Sequence, residues 1–90
     1  MVLVHGFQSS GFAFAPVVDR LSERFRVLVL DLRGHGDSEK PLGLYTIQTF
    51  KEDVLAFIDA LGLDQVDYMG QSMGGRTGTM FAIDHGDRLR

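Results

Sequence analysis

One stretch carries residue types that could do covalent chemistry: Val66-Asp67-Tyr68-Met69-Gly70-Gln71-Ser72-Met73-Gly74-Gly75. A short apolar segment runs into Gly-x-Ser-x-Gly, and a helical pattern begins directly after it. That order is the sequence form of a nucleophile elbow, a sharp strand-to-helix turn that lifts a serine hydroxyl clear of a sheet. Gly70 and Gly74 have a steric reason to be glycine, because strand and helix cross closely on either side of a strained residue. Serine alone is a poor nucleophile. It needs a base to take its proton, a group to orient that base, and donors for the oxyanion that develops in acyl transfer. Two donors are at hand: the backbone N–H of Met73, at a helix N-terminus, and that of Phe7, in the loop from His5 to Gly11.

A base is harder to find. His85 lies thirteen residues along the helix from Ser72. At about 1.5 Å per residue that is roughly 20 Å, far beyond hydrogen-bond reach. His5 and His35 sit on loops that could approach the serine. Asp31 ends a strand and Asp37 lies in a glycine-rich loop, so both read as turn-stabilising residues rather than partners of a base. Arg76, one turn into the last helix, reads as a solvated or ion-paired side chain. Phe7, Phe12 and Met73 either line an acyl pocket or belong to the core, and the sequence leaves both open.

The elements that must position these groups alternate. Met1 to Val4 is an apolar run that suits a strand buried on both faces. Phe14, Val17, Val18 and Leu21 then fall at i, i+3, i+4 and i+7, with Pro16 in the first turn, which predicts a short amphipathic helix. Arg26 to Leu30 is a second strand, and polar and glycine-rich residues make Asp31 to Tyr45 a long loop. Thr46 is an N-cap candidate for the clearest helix, whose apolar stripe runs through Ile47, Phe50, Val54, Phe57, Ile58 and Leu61. Gly62 stops it. Val66 to Met69 is the third strand, and Met73 to about His85 the third helix. Such alternation, with connections too long for hairpins, predicts an α/β fold of three parallel strands with right-handed crossovers. If the first strand lies between the other two, the loop His5–Gly11 borders Ser72.

Composition sets the outer limits. Ninety residues make one domain at most, with 44% hydrophobic residues, seven Phe and no Trp. A net charge of −3 with both signs interspersed points to no nucleic-acid or anionic-membrane surface. The absence of cysteine excludes disulfides and thiolate metal sites. No apolar run approaches the roughly 20 residues of a membrane span, and no signal peptide is readable, so a cytoplasmic location is expected.

Taken together, His5-Gly6-Phe7, then Asp31-Leu32-Arg33-Gly34-His35-Gly36-Asp37-Ser38, then Gly70-Gln71-Ser72-Met73-Gly74-Gly75 resemble the successive motifs of the α/β-hydrolase fold. The likeness extends to Asp84-His85-Gly86-Asp87-Arg88-Leu89, which resembles the segment leading into the family's next strand. The resemblance implies that the three strands are the third to fifth of an eight-stranded sheet. It makes Ser72 the nucleophile and the N–H groups of Phe7 and Met73 the oxyanion hole. His5, Gly6, Gly70, Gln71 and Gly74 become motif-shaping residues. Gln71 stands where the family often has histidine, a variation that leaves the serine's chemistry untouched. No metal or cofactor is implied.

The family's acid and histidine follow the nucleophile in chain order, on strands beyond Arg90. Residues 1–90 therefore read as an incomplete α/β-hydrolase core that needs the remainder of a hydrolase chain. The expected substrate is a small-molecule ester or other acyl compound. A serine at the elbow argues against the family's dehalogenases and epoxide hydrolases, which use aspartate there. It leaves room for perhydrolase-type haloperoxidases and C–C bond hydrolases. The competing expectation is a non-catalytic remnant or partner-dependent module of the same fold.

Overall fold

The computed structural model describes residues 1–90. Three short aliphatic or aromatic runs form β1 (Val2–Val4), β2 (Leu28–Leu30) and β3 (Tyr68–Gly70). All pair in parallel, in the order β2-β1-β3. The register aligns Val4 with both Leu30 and Gly70. All three strands therefore stop at one level, and the loops beginning at His5, Asp31 and Gln71 leave the sheet side by side. With β1 central, the order in which strands are added reverses at it, which opens a crevice at the carboxyl ends of the parallel strands.

A 3-10 turn (Gly11–Phe14) leads into α1 (Ala15–Ser22), α2 spans Ile47–Ala60 and α3 spans Met73–His85. The α2 start is a reciprocal cap. Thr46 Oγ1 accepts the Thr49 N–H at 3.1 Å, and Thr49 Oγ1 accepts the Thr46 N–H at 2.9 Å. Val2 and Val4 point to one face, where α2 supplies Phe50, Val54 and Ile58 and α3 supplies Phe81. Each such side chain stabilises the fold by about 1.5–3 kcal/mol on burial. Across this face Lys51 Nζ meets Asp84 Oδ2 at 2.5 Å, tying α2 to α3. Arg33 grips Asp53 with two bonds of 2.6 Å, tying the loop after β2 to α2.

The opposite face is thinner. Leu3 is buried there, but its register partners Val29 and Met69 are 39% and 42% exposed. The stripe expected to bury Val17, Val18 and Leu21 buries none of them fully, and Phe14, in the preceding turn, is the anchor. The reason is geometric: α1 returns to an edge strand, where a three-stranded sheet offers little surface to cover. Strands are also shorter than the apolar runs. Arg26 and Val27 lie outside the ladder, and Val66 instead bridges Leu89 in parallel. That bridge starts a ladder on the edge of β3 away from β1, with Val66 N–H donating to Arg88 O and Arg90 N–H to Val66 O. No helix is long and apolar enough to cross a membrane.

Candidate active site

Ser72 and Gln71 make the two-residue step between β3, which ends at Gly70, and α3, which begins at Met73. The Ser72 backbone is forced to φ 51°, ψ −112°, a region sparsely populated by non-glycine residues. The geometry is enforced from both sides. A Cβ built on Gly74 would fall within 3.0 Å of the Val4 and His5 carbonyl oxygens, and one on Gly70 would strike the Gly74 carbonyl. Hence α3 can begin this close to β1 and β3 only with glycine at both positions. Gln71 N–H donates to Val4 O at 3.0 Å and Gln71 O accepts from Gly74 N–H at 2.8 Å, so both ends of the turn are fastened. The Tyr68 hydroxyl donates to Gly74 O at 2.7 Å. Burial pushes the Tyr68 phenol up, keeping it a neutral donor.

The Ser72 side chain is exposed, and no hydrogen bond within the chain reaches its Oγ. Gly6 lies alongside. A methyl group there would sit 3.4 Å from Ser72 Cβ and 3.9 Å from Ser72 Oγ. The central position of β1 thus brings the His5–Gly11 loop against the serine, the arrangement for which the sequence set only the condition. Among the hydrogen bonds of loops and turns, the N–H groups of Phe7 and Met73 donate to nothing. Phe7 is 69% exposed and Phe12 83%, so neither belongs to the core, whereas Met73 packs partly against it. Phe12 also parts company with the other two. It lines a concavity of about 860 Å³, with Val18, Val29, Asp31 and Phe57, that includes none of Phe7, Ser72 or Met73.

The histidines separate by their hydrogen bonds. Buried His5 accepts the Leu32 N–H on Nε2 at 3.1 Å, so its proton is on Nδ1, which donates to Gly6 O at 2.7 Å. Both ring nitrogens are spent on loop shape. His35 Nδ1–H donates to Arg33 O at 2.9 Å, and its ring packs 5.0 Å from that of His5. His85 ends α3, its ring tilted against that of Phe81 with centroids 5.3 Å apart. None of the three bonds to Ser72.

Two features escaped the sequence reading. Gln8 has φ 54°, and it and Ser72 are the chain's two non-glycine residues with positive φ. Gln8 lies two residues after Gly6, the glycine that abuts Ser72. Nothing in the residue type announced Gln8. The second is the reach of Asp31, whose carboxylate accepts the Gly11 N–H at 2.6 Å and the Asp37 N–H at 2.9 Å. The Gly11 N–H foremost, helped by that of Asp37, holds the Asp31 carboxyl below the usual carboxylate range. Turn stabilisation was expected of it, but not a bond to the loop after β1.

A strained serine at a strand-to-helix step, on a parallel sheet whose central strand sends a glycine-bearing loop beside it, is an elbow geometry of α/β proteins. The family model described as the alpha/beta hydrolase fold matches residues 1–90, and the chain belongs to that family. It is 39% identical over 87 residues to the soluble epoxide hydrolase of Corynebacterium sp. (strain C12), covering 97% of this chain and 30% of that protein. It is 34% identical over 94 residues to a fluoroacetate dehalogenase of Burkholderia sp, covering 99% and 31%. The crystal structure of the enol-lactonase from Burkholderia xenovorans LB400 superposes with a TM-score of 0.95 at 44% identity, over 99% of this chain and 34% of that one. The chain thus spans about a third of the length of these relatives, and matches a partial α/β-hydrolase sheet.

Proposed function

We propose that residues 1–90 form the nucleophile-bearing part of a serine hydrolase acting on a small-molecule ester or other acyl substrate. The observation that carries this reading is the left-handed Ser72 at the β3–α3 step, exposed and beside Gly6. In the intact protein, Ser72 Oγ attacks the carbonyl carbon while a base removes its proton. The N–H groups of Phe7 and Met73 donate to the oxyanion of the tetrahedral intermediate. Collapse expels the alcohol, which takes the proton from the base, and leaves an acyl-enzyme that water then hydrolyses. The acid and histidine come from sequence outside these residues, since no histidine within them bonds to Ser72. The relatives' names span epoxide, carbon–fluorine and enol-lactone chemistry. The serine favours the acyl branch, because the resemblance places aspartate at the elbow of dehalogenases and epoxide hydrolases.

The test is turnover of p-nitrophenyl acetate by the full-length protein, with Ser72→Ala beside it. Loss of at least about four orders of magnitude in kcat is expected, together with a burst and an acyl adduct on the Ser72 peptide by mass spectrometry. Undiminished hydrolysis by Ser72→Ala would refute the assignment. A second reading has its own observation: Ser72 Oγ has no partner within the chain. On that reading residues 1–90 by themselves are a non-catalytic or partner-dependent module. They are expected to show no steady esterase turnover when expressed alone, and turnover that Ser72→Ala abolishes would overturn this.

A further inference from the structure

The loop that carries Phe7 has no secondary structure between β1 and the turn at Gly11. Its one internal backbone bond is long, Ser9 N–H to Gly6 O at 3.3 Å, and Gln8 within it is strained. Left to itself such a segment would sample many conformations, at a cost to any group it must present. Two side chains hold it to its neighbours. His5 fastens the start, through Leu32 N–H and Gly6 O. Asp31 fastens the end, through Gly11 N–H at 2.6 Å.

Asp31 is built for this. It directly follows β2, the strand paired with β1, so its carboxylate starts level with the loop's base. Its second oxygen takes the Asp37 N–H, and its backbone oxygen takes the Ser38 hydroxyl at 2.5 Å. The carboxylate is wrapped by backbone at two glycines. A Cβ on Gly11 would lie 3.2 Å from Asp31 Oδ1, and one on Gly36 would lie 2.7 Å from the same oxygen. Charged or titratable groups around it are His5 at the end of β1, Lys40 and Asp37 on its own loop, and Asp19 of α1 across the shared concavity.

We propose that Asp31 is the positioning residue of the oxyanion loop: by holding the Gly11 N–H from the neighbouring strand, it fixes the Phe7 N–H opposite Ser72. The inference rests on the reading of Ser72 and Phe7 given above. Donors aimed at an oxyanion act on the tetrahedral state and not on the bound ester. Loosening the loop therefore lowers kcat and spares KM.

The experiment uses the full-length protein, p-nitrophenyl acetate as substrate, and the variants Asp31→Asn, Asp31→Ala and Asp19→Asn. Asn keeps the shape of Asp31 but turns an amide toward one of the two N–H donors. Asp31→Asn is expected to lose kcat about 10-fold to 100-fold with KM within about twofold. In wild type the Gly11 amide proton is expected downfield; in Asp31→Asn it shifts upfield, and the Ser9 amide, bonded to Gly6 O inside the loop, exchanges faster. Asp19→Asn, with the same charge change beside the same concavity, behaves as wild type. If Asp31→Ala fails to fold, Asp31→Asn carries the result alone. Wild-type kcat in Asp31→Asn, or a loss confined to KM, overturns the proposal. Should Ser72→Ala stay active, the catalytic reading falls by itself, and Asp31 is then judged by amide exchange. Unchanged Ser9 exchange in Asp31→Asn overturns the clamp, and faster exchange upholds it.

Discussion

The elbow and the loop from His5 to Gly11 meet at Ser72, yet different forces hold them. The elbow is set by excluded volume and by the well-covered face of the sheet. Gly74 abuts the Val4 and His5 carbonyls, and Phe81 of the same helix is fully buried with Val2, Val4, Val54 and Ile58. The loop is held by polar side chains, His5 and Asp31, beside a face where Val29 and Met69 stay partly exposed. Close packing has few alternatives, whereas a carboxylate bridge weakens once the carboxyl is protonated and loses its charge. On the proposed reading Ser72 is a nucleophile, and a nucleophile must stay in one place. A loop that presents an N–H can be held by contacts that other parts of the protein can tune.

The comparison can be broken first on its strong side. Phe81→Ala should destabilise the chain by about 4 kcal/mol, read as a lowered urea midpoint; a loss below about 1 kcal/mol would mean that the covered face does not anchor the elbow. Gly74→Ala comes next, and its sign is diagnostic. Helix propensity alone predicts a gain of up to about 1 kcal/mol, but the clash with β1 should turn it into a loss of about 3 kcal/mol. A more stable Gly74→Ala would remove the steric account of the elbow.

Acid and base should then act on different regions. Backbone donors, Gly11 first, depress Asp31, and the Lys51 side chain depresses Asp84. Their stabilisation is complete above the unfolded value of 3.8 and is lost as pH falls through the lower folded values. Burial raises Tyr68, so its contribution is complete below 10.0 and is lost as pH rises beyond it. Amide exchange across pH should therefore show the Gly11 region opening at the acid end and the Gly74 region at the alkaline end; simultaneous opening would erase the distinction. The smallest effect belongs to the thin face. Met69→Ser should cost under about 1 kcal/mol, and a loss as large as that of Phe81→Ala would show the two faces to be equally packed.

How much of this was legible beforehand follows from which contacts are local. The alternation of strands and helices, the Thr46 cap and the Gly70–Gly74 turn were readable, because periodicity, capping and turn chemistry are set by residues within a few positions of one another. The α1 stripe was readable as a helix but misleading about burial, since Val17 and its neighbours needed a broader sheet to cover. Gln8 gave no signal, because its positive φ is imposed by the loop around it.

By itself, then, the sequence determined the class of fold, the position of the candidate nucleophile and the need for glycine around it. These are properties of short windows of chain. Only the tertiary structure decided that β1 lies between β2 and β3, and so that Gly6 comes to rest against Ser72. It also decided that His5 spends both ring nitrogens on Gly6 and on Leu32, 27 residues away, and that Asp31 holds Gly11 across 20 residues. Such bonds depend on which strands become neighbours, a global choice made by burial of the whole sheet, and no local pattern of residues encodes it.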